Sequence, residues 1–264
     1  MSLKDLLNFF GWNPRILLRN IINVPGFISD YIKFLSLIRH NRNNIKSLSS
    51  NIVLKPSLLD KAKESHTIDK HYTQLDLHVA RLVFESKVKT HLDIGSSNVF
   101  LCHLSSFLDT VYSGDIRPNP SPLPRIKSLL FDLSSDKKLS KKEQNAYNSL
   151  SCLHVIEHIG LGRYGDKIDP YGDIKALRNL HQILSKEGTL YLAVPSGRSK
   201  ILFNSHRIYS PTKFLEYIGK YFITIRIDFI DDNDDLHMNL NIKDINRLEA
   251  SVYGLLILSL KKIK

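Results

Sequence analysis

Cysteine is nearly absent. Cys102 and Cys152 are the only two in 264 residues, which excludes a disulfide scaffold and a zinc ribbon and suits a reducing cytosol. Acidic residues are also short, 26 against 37 Lys and Arg, leaving a formal charge of +11. The basic residues are scattered and no nucleic-acid-binding motif accompanies them, so nucleic acid is not an expected partner. No uninterrupted apolar run is long enough for a spanning helix. The most apolar stretch, residues 16–38, is broken by Arg19, Asn20, Pro25, Gly26, Asp30 and Lys33, short of the ~18 apolar residues a membrane span needs. A secretory signal is not expected either, because Lys4, Asp5, Arg15 and Arg19 interrupt the start and no small-residue cleavage site follows. A disordered polar chain is excluded, since hydrophobic residues make up 42% and charged ones 24%.

Two zones follow. Residues 1–50 hold seven basic residues against two acidic ones, interleaved with apolar residues and the single Trp12. The i, i+3, i+4 recurrence reads as two amphipathic helices split at Pro25-Gly26. Such an extension fits an anionic membrane surface, where basic and aromatic residues mix. It equally fits packing on the domain or in a dimer. Residues 51–264 form one α/β domain. Its strands are expected at residues 89–94, 110–113, 128–131, 147–155 and 189–194, the last stopped by Pro195. Helices are expected at 75–86, around 101–107 and at 173–184, the last capped by Gly188. Two apolar runs, 222–230 and 251–260, read as a closing, antiparallel pair. Repeated β-α units predict a Rossmann-like doubly wound sheet of about seven strands. The acidic run Asp231, Asp232, Asp234, Asp235 reads as a solvated loop.

Ligands of such sheets bind beyond the carboxyl ends of the strands. Asp93, Asp115 and Asp132 stand at three such ends. Asp93 opens the turn Asp93-Ile94-Gly95-Ser96-Ser97, and Asp115 ends the next strand, placed to accept hydrogen bonds from ribose hydroxyls. Gly95 permits close backbone approach or positive φ. These features resemble the class I S-adenosylmethionine-dependent methyltransferases over about residues 88–230. The turn departs from their usual pattern, which has two or three glycines, by keeping only Gly95.

The residues 149–166 hold His154, Glu157 and His158, a formal H-x-x-E-H zinc pattern. That pattern needs a helix, whereas a strand end with Gly160, Gly162 and Gly165 is expected here, so no metal is assigned. In many class I methyltransferases the same place carries a Glu-His pair. Together with Asp93-Ile94-Gly95-Ser96 and Phe203-Asn204-Ser205-His206-Arg207-Ile208-Tyr209, this segment resembles an uncharacterised bacterial and eukaryotic domain family. Its bacterial members often accompany surface-polysaccharide biosynthesis. The resemblance implies S-adenosylmethionine as cofactor, held by Asp93, Gly95, Ser96, Asp115, Asp132, Leu153 and His154. It implies O-methylation of a carbohydrate or glycolipid, in the cytoplasm or peripherally on the inner membrane face. The alternative is a non-catalytic relative that binds a glycan or partner. His154, His158 and His206 are candidate bases near neutral pH, with Glu157 placed to orient His158. Arg163, Tyr164, Asp166 and Arg207 are candidate acceptor ligands, since guanidinium grips acidic sugars or phosphates.

Overall fold

The computed structural model describes residues 14–40, 52–54, 56, 70–117, 123–136, 140–141 and 143–263. The apolar residues 6–12, Trp12 among them, and the polar segment 41–50 lie outside the described residues. In chain order the elements are α1 (Pro14–His40), β1 (Ile52–Leu54), α2 (Lys70–Glu85), β2 (Thr90–Ile94), α3 (Asn98–Phe107), β3 (Thr110–Asp115), β4 (Ile126–Leu130) and β5 (Tyr147–Leu153). Then come α4 (Gly172–Ile183), β6 (Leu184–Ser196), β7 (Lys200–Phe203), β8 (His206–Ile208), α5 (Pro211–Ile218), β9 (Phe222–Ile230), β10 (Leu236–His237), α6 (Ile245–Leu248) and β11 (Gly254–Lys262).

An eight-stranded sheet runs in the order β10-β9-β11-β6-β5-β2-β3-β4. The strands from β6 to β4 are parallel, while β11, β9 and β10 pair antiparallel. The chain builds outward from β2 through β3 to β4, then returns to place β5 on the other side of β2. That reversal opens a crevice beyond the ends of β2 and β5, where doubly wound sheets bind ligands. Alternation along the strands feeds two cores. Leu190, Leu192 and Val194 of β6 join Ile174, Leu177, Phe214 and Ile218 on one face. Tyr191 and Ala193 join Leu75, Val79, Val83, Phe100 and Leu104 on the other. Helix starts are marked locally: the Ser97 hydroxyl accepts from Phe100 N at the head of α3, and Ser210 does the same for Lys213 N ahead of Pro211.

The expected Rossmann-like sheet is present, with eight strands, and β1, β7 and β8 form a second, three-stranded sheet. Three expectations need correction. Gly188 does not cap α4. Leu184 does, its N–H donating to Leu180 O, and the chain enters β6 at once. Gly188 instead lies where the β5–β6 register shifts; a Cβ there would come within 2.9 Å of Tyr147 O. Pro195 does not stop β6. β5 ends opposite Ala193, so beyond that point no strand on its side needs the N–H that proline lacks. Finally, α1 is one helix running through Pro25. Proline costs one helical hydrogen bond with the carbonyl four residues back. Here that stretch is exposed, so water can satisfy the carbonyl. The following turns are held by Phe27, Tyr31, Phe34 and Ile38 packed on Leu161, Ile168, Ile201 and Phe203. The segment Ile21–His40 is also long and apolar enough, by length and composition, to cross a membrane.

Candidate functional site

A cleft of about 770 Å³ opens at the reversal point. Gly95, at the end of β2, forms part of its floor with a φ of +67°. A Cβ at Gly95 would come 3.2 Å from both methyls of Val155, so turn and floor are in close contact and the conformation suits glycine. Asp115 and Asp132 stand on the rim at the tips of β3 and just past β4. Each carboxylate organises its own turn. Asp115 Oδ1 accepts from Arg117 N at 2.7 Å, and Asp132 Oδ1 accepts from Ser134 N and Ser134 Oγ at 2.9 and 2.7 Å. Ile116, Phe131 and Leu133 add apolar wall between these acids.

Asp93, Ser96 and Leu153 do not reach the cleft, contrary to expectation. Asp93 is fully buried and accepts hydrogen bonds from Ser96 N, Ser96 Oγ and Ser151 Oγ. Its carboxylate ties the turn down from below rather than meeting a ligand. Burial pushes it up to about 6, against the pull of those donors, with Asp76 adding to the rise. The Ser96 hydroxyl faces inward and also accepts from Leu153 N. Leu153 is core, and Val155, two residues on, supplies the cleft wall instead.

The histidine cluster is arranged differently from the expected Glu157–His158 pair. His154 Nδ1 lies 2.7 Å from Glu157 Oε1, while His158 Nε2 is 3.7 Å from that oxygen. His158 Nδ1 instead donates to Ser205 O at 2.7 Å. His154 is therefore the histidine that the carboxylate orients. Its φ of +57° is unusual for a non-glycine residue. The backbone turns sharply as β5 ends, and His154 lines the cleft. Its Nε2 and Glu157 Oε2 are buried with no hydrogen-bond partner among the described residues. Burial works to raise the Glu157 carboxyl, but His158 and His154 together hold it below its usual range. Burial lowers His158, against the pull of Glu157. The segment forms turns rather than a helix, which removes the geometry a zinc H-x-x-E-H pair requires.

Of the candidate acceptor ligands, Tyr164 and Asp166 line the cleft and Arg163 and Arg207 do not. Asp166 accepts from Gly160 N at 2.7 Å and so shapes the loop it sits on. Arg163 donates to Ser205 O at 3.2 Å. Arg207 is wholly buried, donating to Ile159 O, Glu157 O and Pro170 O at 2.7, 3.3 and 3.2 Å, with Nε 3.5 Å from Asp173. It ties three chain segments together and has no access to a substrate. His206 is buried beside Ser205 Oγ and Tyr253 and is outside the cleft lining.

A second, smaller cleft of about 360 Å³ is lined by His71, Tyr72, Asp231, Asp232, Asp234 and Tyr253, with Val252. The acidic run therefore does more than face solvent. Asp232 accepts from Val252 N and Tyr253 N, Asp231 from Asn233 N and Asp235 N, and Asp234 pairs with His71. The Tyr72 ring lies 4.7 Å from that of His154, so His154 stands where the two clefts approach. No sequence signal marks Tyr72 or Tyr253, because α2 and the turn before β11 meet only in the fold. Among the described residues no group of three or more metal-ligating side chains occurs.

The family described as "Caenorhabditis protein of unknown function, DUF268" matches residues 125–263, just over half of the chain. The chain belongs to that family. The matched part of this DUF268 protein contains His154, Glu157 and Arg207, whereas Gly95 and Asp115 lie ahead of it. No curated protein matches the chain. Among solved structures, the N-methyltransferase NodS of Bradyrhizobium japonicum WM9, in complex with S-adenosyl-L-homocysteine, is similar with a TM-score of 0.50. Identity is 12%, over 88% of this chain and 98% of that one. The 1,6-didemethyltoxoflavin-N1-methyltransferase of Burkholderia thailandensis, with bound 1,6-didemethyltoxoflavin and S-adenosylhomocysteine, has a TM-score of 0.52 at 12% identity, over 74% of this chain and 80% of that one. The DUF268 protein thus has the fold of S-adenosylmethionine-dependent methyltransferases.

Proposed function

We propose that the protein is an S-adenosylmethionine-dependent methyltransferase that O-methylates a hydroxyl of a sugar or glycolipid. The observation that carries the reading is the buried His154–Glu157 pair, whose second imidazole nitrogen has no partner among the described residues, at the wall of a cleft edged by Asp115 and Asp132. The residues present fit the cofactor. Asp115 would accept from the ribose hydroxyls and Asp132 from the base, with Ile116, Phe131 and Leu133 against the ring and Gly95 beneath the methionine end. The cofactor supplies an electrophilic methyl group on sulfur. With the cofactor bound, His154 Nε2 would accept the proton of the acceptor hydroxyl. Glu157 holds the Nδ1 proton and stabilises the imidazolium that results. A hydroxyl acceptor needs such a base, since it is a poor nucleophile while protonated. The smaller cleft supports a sugar acceptor, because tyrosine faces and carboxylates suit the apolar faces and hydroxyls of a sugar ring.

The inward-turned Ser96 hydroxyl and the single glycine of the turn favour a second reading, a non-catalytic relative that uses the cleft to bind a glycan. Calorimetric titration with S-adenosylmethionine and S-adenosylhomocysteine separates the two. Binding that falls roughly 10- to 100-fold in Asp115→Ala, as the loss of charged hydrogen bonds implies, supports the enzyme. No binding with or without added glycan supports the second reading.

A further inference from the structure

We infer that the outer face of α1 is a docking surface for an anionic lipid bilayer, with the helix lying flat in the headgroup layer. The helix carries two apolar stripes. Phe27, Tyr31, Phe34 and Ile38 form the inner one, with Phe34 fully buried and its ring 4.8 Å from that of Phe203. Leu18, Ile21, Ile22, Ile28 and Ile32 form the outer one, each between 50% and 64% exposed. At 100° per residue these five span an arc of roughly 120° opposite the docked side. Packing on the domain therefore accounts for half of the apolar pattern of this helix and leaves the other half in water. A single exposed Ile is ordinary; an aligned row over four turns is a surface with an occupant.

Charge selects the occupant. The chain carries +11, and residues 1–50 hold seven basic residues against two acidic ones. Exposed Lys33 and Arg39 flank the outer stripe at its C-terminal end. An apolar face with basic flanks matches an anionic bilayer surface and would repel a second copy of this basic chain. Geometry favours lying on the membrane over crossing it. The exposed row from Leu18 to Ile32 extends only about 21 Å at 1.5 Å per residue, short of the ~30 Å hydrocarbon core. Beyond it the helix is held by the Phe34–Phe203 contact. The same contact joins the surface to the larger cleft. The loop bearing Leu161 and Ile168 packs on α1 and also carries Tyr164, Asp166 and Lys167 of the cleft rim. The inference does not depend on the methyltransferase reading.

The test is co-sedimentation of the full chain with vesicles of phosphatidylcholine mixed with phosphatidylglycerol, against phosphatidylcholine alone. We expect binding to the mixed vesicles. Ile22→Asn, Ile28→Asn and Ile32→Asn combined should weaken it on the order of 100-fold or more, with the thermal unfolding midpoint unchanged because all three are exposed. Lys33→Glu with Arg39→Glu should weaken it at least roughly 10-fold and remove the preference for anionic lipid. Any of the following results would overturn the inference. One is no sedimentation of the wild type with mixed vesicles, or equal binding by the triple variant. Another is resistance of membrane-bound protein to alkaline carbonate extraction, which indicates a spanning helix. The last is a dimer that the triple variant abolishes without any vesicle binding, which assigns the face to a second copy.

Discussion

Two buried clusters near the carboxyl ends of the central strands use similar chemistry to opposite ends. One pairs Arg207 with Asp173, the other His154 with Glu157. Both terminal nitrogens of Arg207 donate to carbonyls of the protein, and its Nε lies 3.5 Å from the Asp173 carboxylate without a hydrogen bond. Tyr209 completes the first cluster by donating to Asp173. The second cluster leaves His154 Nε2 and Glu157 Oε2 unpartnered among the described residues. An unmet buried polar atom is costly; in the first cluster the one such atom, Arg207 Nε, faces the Asp173 carboxylate, while in the second the two stand beside the cleft wall. Residue type and strand-end position do not distinguish the two clusters. Their relation to the cleft does: His154 lines it, whereas Arg207 lies outside that lining and gives its terminal nitrogens to carbonyls of the protein.

The comparison breaks most readily at Arg207. Arg207→Met leaves the Asp173 carboxyl buried without its cation, held only by Tyr209 and Ile174 N, and removes the Arg207 donors from the carbonyls of Ile159 and Pro170. Losing one side of a buried pair costs about 3–5 kcal/mol, and thermal or urea unfolding should show that loss. A variant as stable as the wild type would mean that the cluster is not the tie between these loops.

His154→Asn asks the opposite question. Asparagine tolerates the positive φ at this position, so the turn and cofactor affinity should be kept, while loss of the His154 hydrogen bond to the buried Glu157 carboxyl lowers stability. Transfer of labelled methyl from S-adenosylmethionine to a membrane glycolipid extract should fall roughly 10²- to 10⁴-fold, the usual size of a general-base contribution. Glu157→Gln should retain more activity than His154→Asn, because glutamine can still hold the imidazole in place but no longer offsets the charge of the imidazolium. If His154→Asn unfolds the protein while transfer per folded molecule holds, the cluster is structural and the contrast with Arg207 disappears.

Much of the fold was legible in the sequence, because strand ends carry their own punctuation. Gly95, Asp115 and Asp132 were found as the residues closing apolar runs, and they do line the cleft. What failed was the direction of side chains at those ends. Asp93 and Ser96 lie in the same turn as Gly95, yet they point under the sheet edge toward Ser151, a neighbour supplied by β5. Arg207 looked like an anion ligand, and only the packing of three loops shows its donors already committed. The Glu157 partner was assigned to the adjacent histidine. The backbone reversal at His154, where φ is +57°, brings the histidine three positions back into contact instead. Tyr72 and Tyr253 left no trace in local pattern, since their place depends on where α2 packs.

The smallest expected effect concerns the turn beneath the cleft, where His91 and Asp93 titrate in opposition. Burial lowers His91 from 6.5 to about 3 and raises Asp93 from 3.8 to about 6. Below pH 6.5 the unfolded chain binds a proton at His91 that the folded protein refuses, so acidification costs stability. Between pH 6 and 3.8 the folded protein binds a proton at Asp93 that the unfolded chain does not. That contribution is fully present below the unfolded value and is lost as pH rises through 6. Between pH 7 and 5 the two changes largely offset, the Asp93 part amounting to about 1 kcal/mol. Asp93→Asn removes the acid-favoured part and keeps the His91 part. The variant should therefore lose stability more steeply than the wild type on going from pH 7 to 5, by about 1 kcal/mol in urea unfolding. Parallel slopes for the two proteins would show that Asp93 is ionised throughout. In that case the donors from Ser96 and Ser151 outweigh its burial, and the turn is held by a charge rather than by a shared proton.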